Sequence, residues 1–288
     1  MTTTKAEARP LASSTKTREF DFTHADFKQV QQRIYKYAGI SLADHKVDLV
    51  YNRLVRRIRS LEINSFAQYF EILDTHKPEL SNFVNAMTTN LTSFYREAHH
   101  FEYISETYLP ALAKEGQDKL RIWSSACSVG EEPYSIGISL LESGLNLSNW
   151  DVEILATDID TNVLATAKAA IYALDRIEGL STARKKLGFL RGTGDNSDQA
   201  LIKPQIRKWM RFSYCNLMED WPIDAQLDII FCRNVMIYFD KKTQNTLFDR
   251  MENQLKPGGL LCIGHSESPA RDMKNFKLLG RTMYQKIK

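Results

Sequence analysis

The stretch Leu120-Arg121-Ile122-Trp123-Ser124-Ser125-Ala126-Cys127-Ser128-Val129-Gly130-Glu131-Glu132-Pro133-Tyr134-Ser135 decides the fold class. Its opening, Leu120 to Ser125, reads as a strand, and Pro133 sits near the start of a helix that runs to Glu142. Between them, Gly130 lets a ligand approach the backbone at a strand-to-helix turn. It is a single glycine, not a GxGxxG run, which disfavours a dinucleotide dehydrogenase. Glu131 and Glu132 repel a pyrophosphate and suit a ligand that carries positive charge. They are also the residues that a helix N-terminus favours in any protein.

The same alternation continues downstream. Val152–Thr157 reads as a strand and Thr161–Ile171 as a helix. Phe212–Cys215 is a short strand and Leu227–Cys232 a buried one. Lys241–Leu255 is a helix closed by Lys256-Pro257-Gly258-Gly259, and Leu260–Gly264 is another strand. Leu278–Gly280 and Thr282–Ile287 form a closing hairpin. This order predicts an α/β fold with a mostly parallel sheet, helices on both faces and a ligand beyond the carboxyl ends of the strands. Asp158 follows the second strand, where a carboxylate accepts hydrogen bonds from ribose hydroxyls. Asp160 reads as a helix cap. Gly130 and Asp158 without a phosphate cradle fit a nucleoside that has no phosphates. S-adenosylmethionine, with its ribose, ammonium and sulfonium, is such a molecule.

Two regions break the pattern. Arg176 to Met210 carries Gly192, Gly194 and many basic residues, and is read as an insertion. Residues 22–87 show only helical spacing. Val47, Val50, Leu54, Ile58 and Leu61 make one apolar stripe, and Lys46, Arg53, Arg56, Arg57 and Arg59 fall on the opposite arc. Ser65 caps a helix to Thr75, and Pro78 opens another to Met87. The chain therefore divides into a disordered arm (1–20), a helical domain (21–90), a linker and helix contributing to the cofactor site (91–115) and a cofactor-binding domain (116–288). The insertion spans about 176–210.

The 288 residues carry 38 Lys and Arg against 35 Asp and Glu, a net charge of +3. That is too mild for a nucleic-acid binder. The whole excess lies in residues 1–90, with 13 basic and 10 acidic side chains. The basic arc is either a solvated helix face or a docking surface for an acidic partner. Cys127, Cys215, Cys232 and Cys262 form no CxxC pair and read as buried, reduced thiols of a cytosolic protein. No apolar run is long enough for a membrane span, and the amino terminus lacks the apolar core of a secretory signal. His99 and His100 are adjacent and read as structural, not as metal ligands. His265-Ser266-Glu267 is only superficially triad-like, because no GxSxG elbow accompanies it.

Four runs in order carry a specific resemblance. They are Asn90-Leu91-Thr92-Ser93-Phe94-Tyr95-Arg96-Glu97, Ser128-Val129-Gly130-Glu131-Glu132-Pro133-Tyr134-Ser135, Ala156-Thr157-Asp158-Ile159-Asp160, and Phe231-Cys232-Arg233-Asn234-Val235-Met236-Ile237-Tyr238-Phe239. With Ala43–Lys46 and Tyr51–Arg57, the chain resembles the chemotaxis-receptor protein-glutamate O-methyltransferases, the CheR family, over about residues 25–288. The resemblance implies a Rossmann-like class I SAM-dependent methyltransferase domain with a small β-subdomain insertion, behind an all-helical N-terminal domain. It implies a S-adenosylmethionine pocket of Asn90, Thr92, Arg96, Glu132, Asp158, Asn216, Leu217, Arg233 and Asn234. Glu132 then takes the ammonium, Asp158 the ribose diol, and Asn216 with Leu217 the adenine. Arg96 and Tyr238 serve the reacting centre. The implied reaction esterifies glutamate side chains on the cytoplasmic domain of chemoreceptors. Arg53, Arg56 and Arg59 dock the receptor, and Arg191 in the insertion meets its C-terminal peptide. The chain is expected to be a cytoplasmic monomer without metal, nucleic-acid partner or membrane insertion. A nucleic-acid methyltransferase would need an Asn/Asp-Pro-Pro-aromatic run where Arg233-Asn234-Val235-Met236 stands. A catalytically dead adaptor would not need Glu132, Asp158, Arg233 and Tyr238 intact.

Overall fold

The computed structural model describes residues 18–269 and 273–287. The expected arm lies outside the described residues up to position 17. Arg18, Glu19 and Phe20, which the arm reading included, are tied to the helical domain. Arg18 pairs with Asp48 at 2.7 Å, Glu19 pairs with Arg59, and the Phe20 N–H donates to the Tyr51 hydroxyl.

Four helices build that domain: α1 (His24–Ala38), α2 (Val47–Ser60), α3 (Phe66–Thr75) and α4 (Lys77–Met87). Thr23 and Asp26 close a capping box on α1, and Ser65 accepts from the Gln68 N–H at the start of α3. The α2 stripe buries Val50, Leu54 and Ile58, joined by Tyr51 and Val55. They pack on Phe27, Val30, Ile34, Tyr69 and Phe83. Each fully buried side chain of this kind contributes about 1.5–3 kcal/mol.

Among the described residues, ten strands follow: β1 (Lys119–Ser124), β2 (Asp151–Asp158), β3 (Ile171–Ala173), β4 (Phe189–Arg191), β5 (Gln199–Ile202), β6 (Met210–Tyr214), β7 (Leu227–Cys232), β8 (Leu255–Ile263), β9 (Phe276–Gly280) and β10 (Met283–Lys286). Seven form one sheet in the order β6-β2-β1-β7-β8-β10-β9. The first five of these run parallel; β10 runs antiparallel to them, and β9, antiparallel to β10, runs in their direction again. The order reverses between β1 and β7, so their carboxyl ends open a crevice there. Helices cover both faces, Glu131–Glu142 among them on one side and Lys241–Gln254 on the other.

The remaining strands make a small antiparallel sheet, β3-β5-β4. It begins earlier than Arg176, where the sequence reading placed the insertion. Ala170 takes a left-handed conformation (φ 59°) that ends the preceding helix, and Ile171 already pairs with Leu201. The other local departure is β8. It starts at Leu255 and absorbs Lys256–Gly259 through a register shift against β7, where a helix-closing turn was expected.

Candidate active site

A cavity of about 480 Å³ opens at the carboxyl ends of β1, β2, β6 and β7. This lies in the size range of small-molecule sites. Both domains wall it. The segment after α1 supplies Ile40 to Ala43, and the loop after α4 supplies Met87 to Ser93 and Arg96.

At the first wall, Gly130 turns β1 into its helix at φ 91°. A Cβ there would sit 2.9 Å from Ala167 Cβ and 2.9 Å from the Tyr172 hydroxyl, so the turn requires glycine. Glu132 projects into the cavity from this helix. Its carboxylate accepts from Ser124 Oγ at 2.7 Å and from Arg233 at 3.2 Å. Burial raises its pKa, and the Arg233 charge opposes that shift. Glu131 points elsewhere. It is fully buried and chelated by Arg176 at 2.7 Å through both oxygens.

At the second wall, Asp158 ends β2. One oxygen accepts the Ser128 N–H at 2.8 Å and the other the Asp160 N–H at 2.9 Å. Burial pushes its pKa up to about 6 against those two bonds. Asp160 caps the following helix, accepting from the Asn162 N–H. Its second oxygen also takes bonds from Thr88 Oγ1 at 2.9 Å and Asn90 Nδ2 at 2.7 Å, which fastens the two domains together.

Every expected cofactor residue lines this cavity: Asn90, Thr92, Arg96, Glu132, Asp158, Asn216, Leu217, Arg233 and Asn234. Tyr238 lines it too, as do Lys46 and Arg53. Several side chains have partners that the spacing could not show. The Asn216 amide donates to the Tyr37 carbonyl and to Glu219, while its oxygen accepts the Met218 N–H. Arg96 donates to the Leu91 carbonyl at 2.9 Å. Arg233 is buried and faces Glu132 and, at 3.3 Å, Glu97. It also donates to the Arg96 carbonyl.

The basic arc of α2 resolves into different uses. Arg57 is held by buried Glu79. Arg59 pairs with Glu19, and Arg53 donates to the carbonyls of Met87 and Thr88. Arg56 is exposed. Arg191 is exposed on β4, an edge strand of the small sheet, away from the cavity.

His99 and His100, although adjacent, do converge: their ring nitrogens and a Glu97 oxygen lie within 4.8 Å of one another. The start of a helix turns both rings onto one acceptor, the Arg281 carbonyl, at 2.8 and 3.2 Å. A charged guanidinium, Arg233, already faces Glu97 there. Burial and that charge press the His100 pKa down to about 2, so the ring stays neutral.

Other features had no signal in the motifs. Tyr95, Glu97, Ser128 and Asn234 all adopt positive φ (50–58°), and all belong to the loops that build the cavity. Such strain in residues other than glycine clusters at functional sites. Phe94 is wedged edge-on between Tyr172 and Phe189, and Arg184 stacks on Tyr95 at 3.6 Å. The small sheet thus grips the loop that carries Thr92 and Arg96.

A parallel sheet with this strand order, an acidic residue ending β2 and a cavity over the β1/β7 reversal define a class I SAM-dependent methyltransferase. The described residues fit S-adenosylmethionine. Asp158 keeps acceptor capacity for a ribose, Glu132 offers a carboxylate to an ammonium, and Leu217 with Ile159 and Val235 gives an apolar lining for a base. Comparison with known proteins then narrows the class. Residues 90–285 match the family model of the CheR methyltransferase SAM-binding domain, and residues 25–88 that of the CheR methyltransferase all-alpha domain. The chain is 48% identical over 269 residues to chemotaxis protein methyltransferase 2 of Pseudomonas aeruginosa, covering 92% of this chain and 94% of the relative. It is 43% identical over 272 residues to the chemotaxis protein methyltransferase of Salmonella typhimurium, covering 93% and 92%. The corresponding Escherichia coli protein is 40% identical, with 93% of each chain covered. The chain belongs to the CheR methyltransferase family, and its cofactor is S-adenosylmethionine.

Proposed function

We propose that this enzyme methylates glutamate side chains on the cytoplasmic domain of chemoreceptors, forming γ-glutamyl methyl esters. The observation that carries the reading is the character of the cavity wall. Lys46, Arg53 and Arg96 line it together with Tyr238, alongside Asp158 and Glu132. Cationic side chains of that kind receive an anionic substrate, and a carboxylate is already ionised near pH 7, so no general base is needed.

The bound cofactor supplies an electrophilic methyl on a sulfonium. The protein's work is placement. Arg96 orients the incoming carboxylate by charge-assisted hydrogen bonds, exchanging its bond to the Leu91 carbonyl for the substrate. Tyr238 hydrogen-bonds beside the reacting oxygen. A substrate seated over the cavity mouth excludes water from its floor of Glu132 and the buried Asp158 and Arg233. This favours a reaction in which opposite charges neutralise, because the reactants lose more hydration than the transition state does. In-line alignment contributes several kcal/mol more.

Receptor docking is assigned to the exposed face of α2, chiefly Arg56, with Arg59 shared between Glu19 and the partner. Arg53 contributes from the cavity side. The receptor C-terminal peptide is assigned to the small sheet, where β4 leaves an open edge for strand addition and Arg191 stands ready for a carboxylate. Titrating that peptide against the whole enzyme tests this assignment, and no detectable binding rejects it. For the reaction, Arg96→Ala and Tyr238→Ala should each remove most methyl transfer while the protein stays folded. Near-normal turnover in both variants would sink the assignment.

A further inference from the structure

The Gly264-His265-Ser266-Glu267 turn after β8 resembles a hydrolase fragment in sequence, but its geometry is that of a latch. Glu267 is 6% exposed, and its carboxylate is spent on backbone donors. One oxygen accepts the N–H of Asn234 at 2.9 Å and of Gly264 at 2.6 Å, and the other accepts the N–H of Met236 at 2.8 Å. Asn234 and Met236 belong to the loop after β7, which ends at Tyr238. Asn234 holds a left-handed conformation at φ 57°, one that asparagine tolerates better than most side chains but does not impose. A carboxylate that accepts from both the Asn234 and the Met236 N–H fixes the turn.

The same turn reaches the other cavity loop. The His265 N–H donates to Glu97 at 3.1 Å, and Glu97 faces Arg233, which donates to the Arg96 carbonyl. Gly264 has no room for a side chain. A Cβ would lie 2.6 Å from Asn234 Nδ2, 2.7 Å from Glu267 Oε2 and 2.8 Å from the Asn234 nitrogen. Glu267 itself does not line the cavity.

We infer that Glu267 is a positioning residue for methyl transfer: its carboxylate fixes the Asn234–Tyr238 loop and so sets where the Tyr238 hydroxyl stands. This rests on the reading of Tyr238 above. An amide at position 267 keeps the size but turns one acceptor into a donor facing N–H groups, so the loop loses its register.

The test compares Glu267→Gln, Tyr238→Phe and the double variant. It reads initial rates of methyl transfer to receptor-bearing membranes, receptor KM, S-adenosylhomocysteine affinity by calorimetry, and thermal midpoint. Glu267→Gln should lower kcat ~10-fold or more while receptor KM moves less than ~3-fold and product affinity falls by less than kcat does. The double variant should be no slower than the slower single variant, because both changes act on one group. Normal kcat in Glu267→Gln overturns the inference. Fully multiplicative losses also overturn it, since Glu267 would then act elsewhere. Normal kcat in Tyr238→Phe removes the Tyr238 reading and with it this inference, whereas normal kcat in Glu267→Gln beside an impaired Tyr238→Phe overturns the inference alone. If Glu267→Gln does not fold, Gly264→Ala carries the test by pressing on the same contact. A loss of kcat larger than any loss of product affinity supports the latch, and full turnover rejects it.

Discussion

At the scale of the residue, Asp158 shows how burial and function pull against each other. Its pKa stands near 6 because desolvation outweighs two backbone hydrogen bonds. The sign of the consequence follows directly. A raised carboxyl pKa means the folded protein holds the proton more tightly than the unfolded chain does. This group therefore subtracts stability as pH rises from about 4 to about 6 and changes nothing further above that. The assignment of Asp158 to the cofactor ribose requires the ionised acceptor, so on that assignment S-adenosylhomocysteine affinity should fall as pH drops below about 6. Asp158→Asn should weaken it ~10–100-fold at pH 7.5, the worth of a charged hydrogen bond, and flatten that pH dependence. Calorimetric titration across pH 5–8 checks both. The position of Asp158 was legible from its place after a strand. The engagement of Asn216 with Tyr37, and of Glu132 with Arg233, was not. Those bonds join residues far apart in sequence, and no local spacing encodes them.

At the scale of the element, α2 shows what a helical wheel reveals and what it leaves out. Period and hydrophobicity locate its buried face correctly, because burial depends on spacing along one helix. The charged arc looks uniform on the same wheel, yet Arg56 and Arg57 differ in kind. Arg57 is clasped by Glu79, whose carboxylate also accepts from Tyr69 at 3.0 Å and Asn82 at 2.9 Å. Removing the arginine leaves a buried charge without its main partner. Arg57→Ala should therefore cost about 3–5 kcal/mol in urea unfolding. Arg56→Ala should stay within about 0.5 kcal/mol and instead raise the receptor KM at low salt. Equal stability of the two variants would contradict this division. The onset of the small sheet at Ile171 was missed for a related reason. Three-residue strands carry too little pattern, and Ala170 in a left-handed turn gives no sign in its side chain.

At the scale of the whole molecule, the cofactor cavity belongs to neither domain alone. The Ser41 N–H donates to the Tyr238 carbonyl at 2.8 Å, Tyr35 to Asp240 at 2.7 Å, and Thr88 and Asn90 to Asp160. Gly39 lets the chain leave α1 toward this wall at φ 69°, where a Cβ would press on Met218 at 2.5 Å. Gly39→Ala should cost about 1 kcal/mol or more of the closed arrangement and weaken S-adenosylhomocysteine binding about fivefold. Unchanged affinity would show that the wall does not matter for the cofactor. The alternation of strands and helices made the sheet and its ligand crevice legible. The helical domain's part in walling the crevice was not, because domain docking leaves no periodicity. The central claim, that the methyl goes to a carboxylate of a chemoreceptor, is tested most directly with S-adenosylmethionine carrying a labelled methyl and receptor-bearing membranes. The label should appear on the receptor and leave as methanol under mild alkali, as an ester requires. Label that survives alkali, or that appears on nucleic acid, would contradict it.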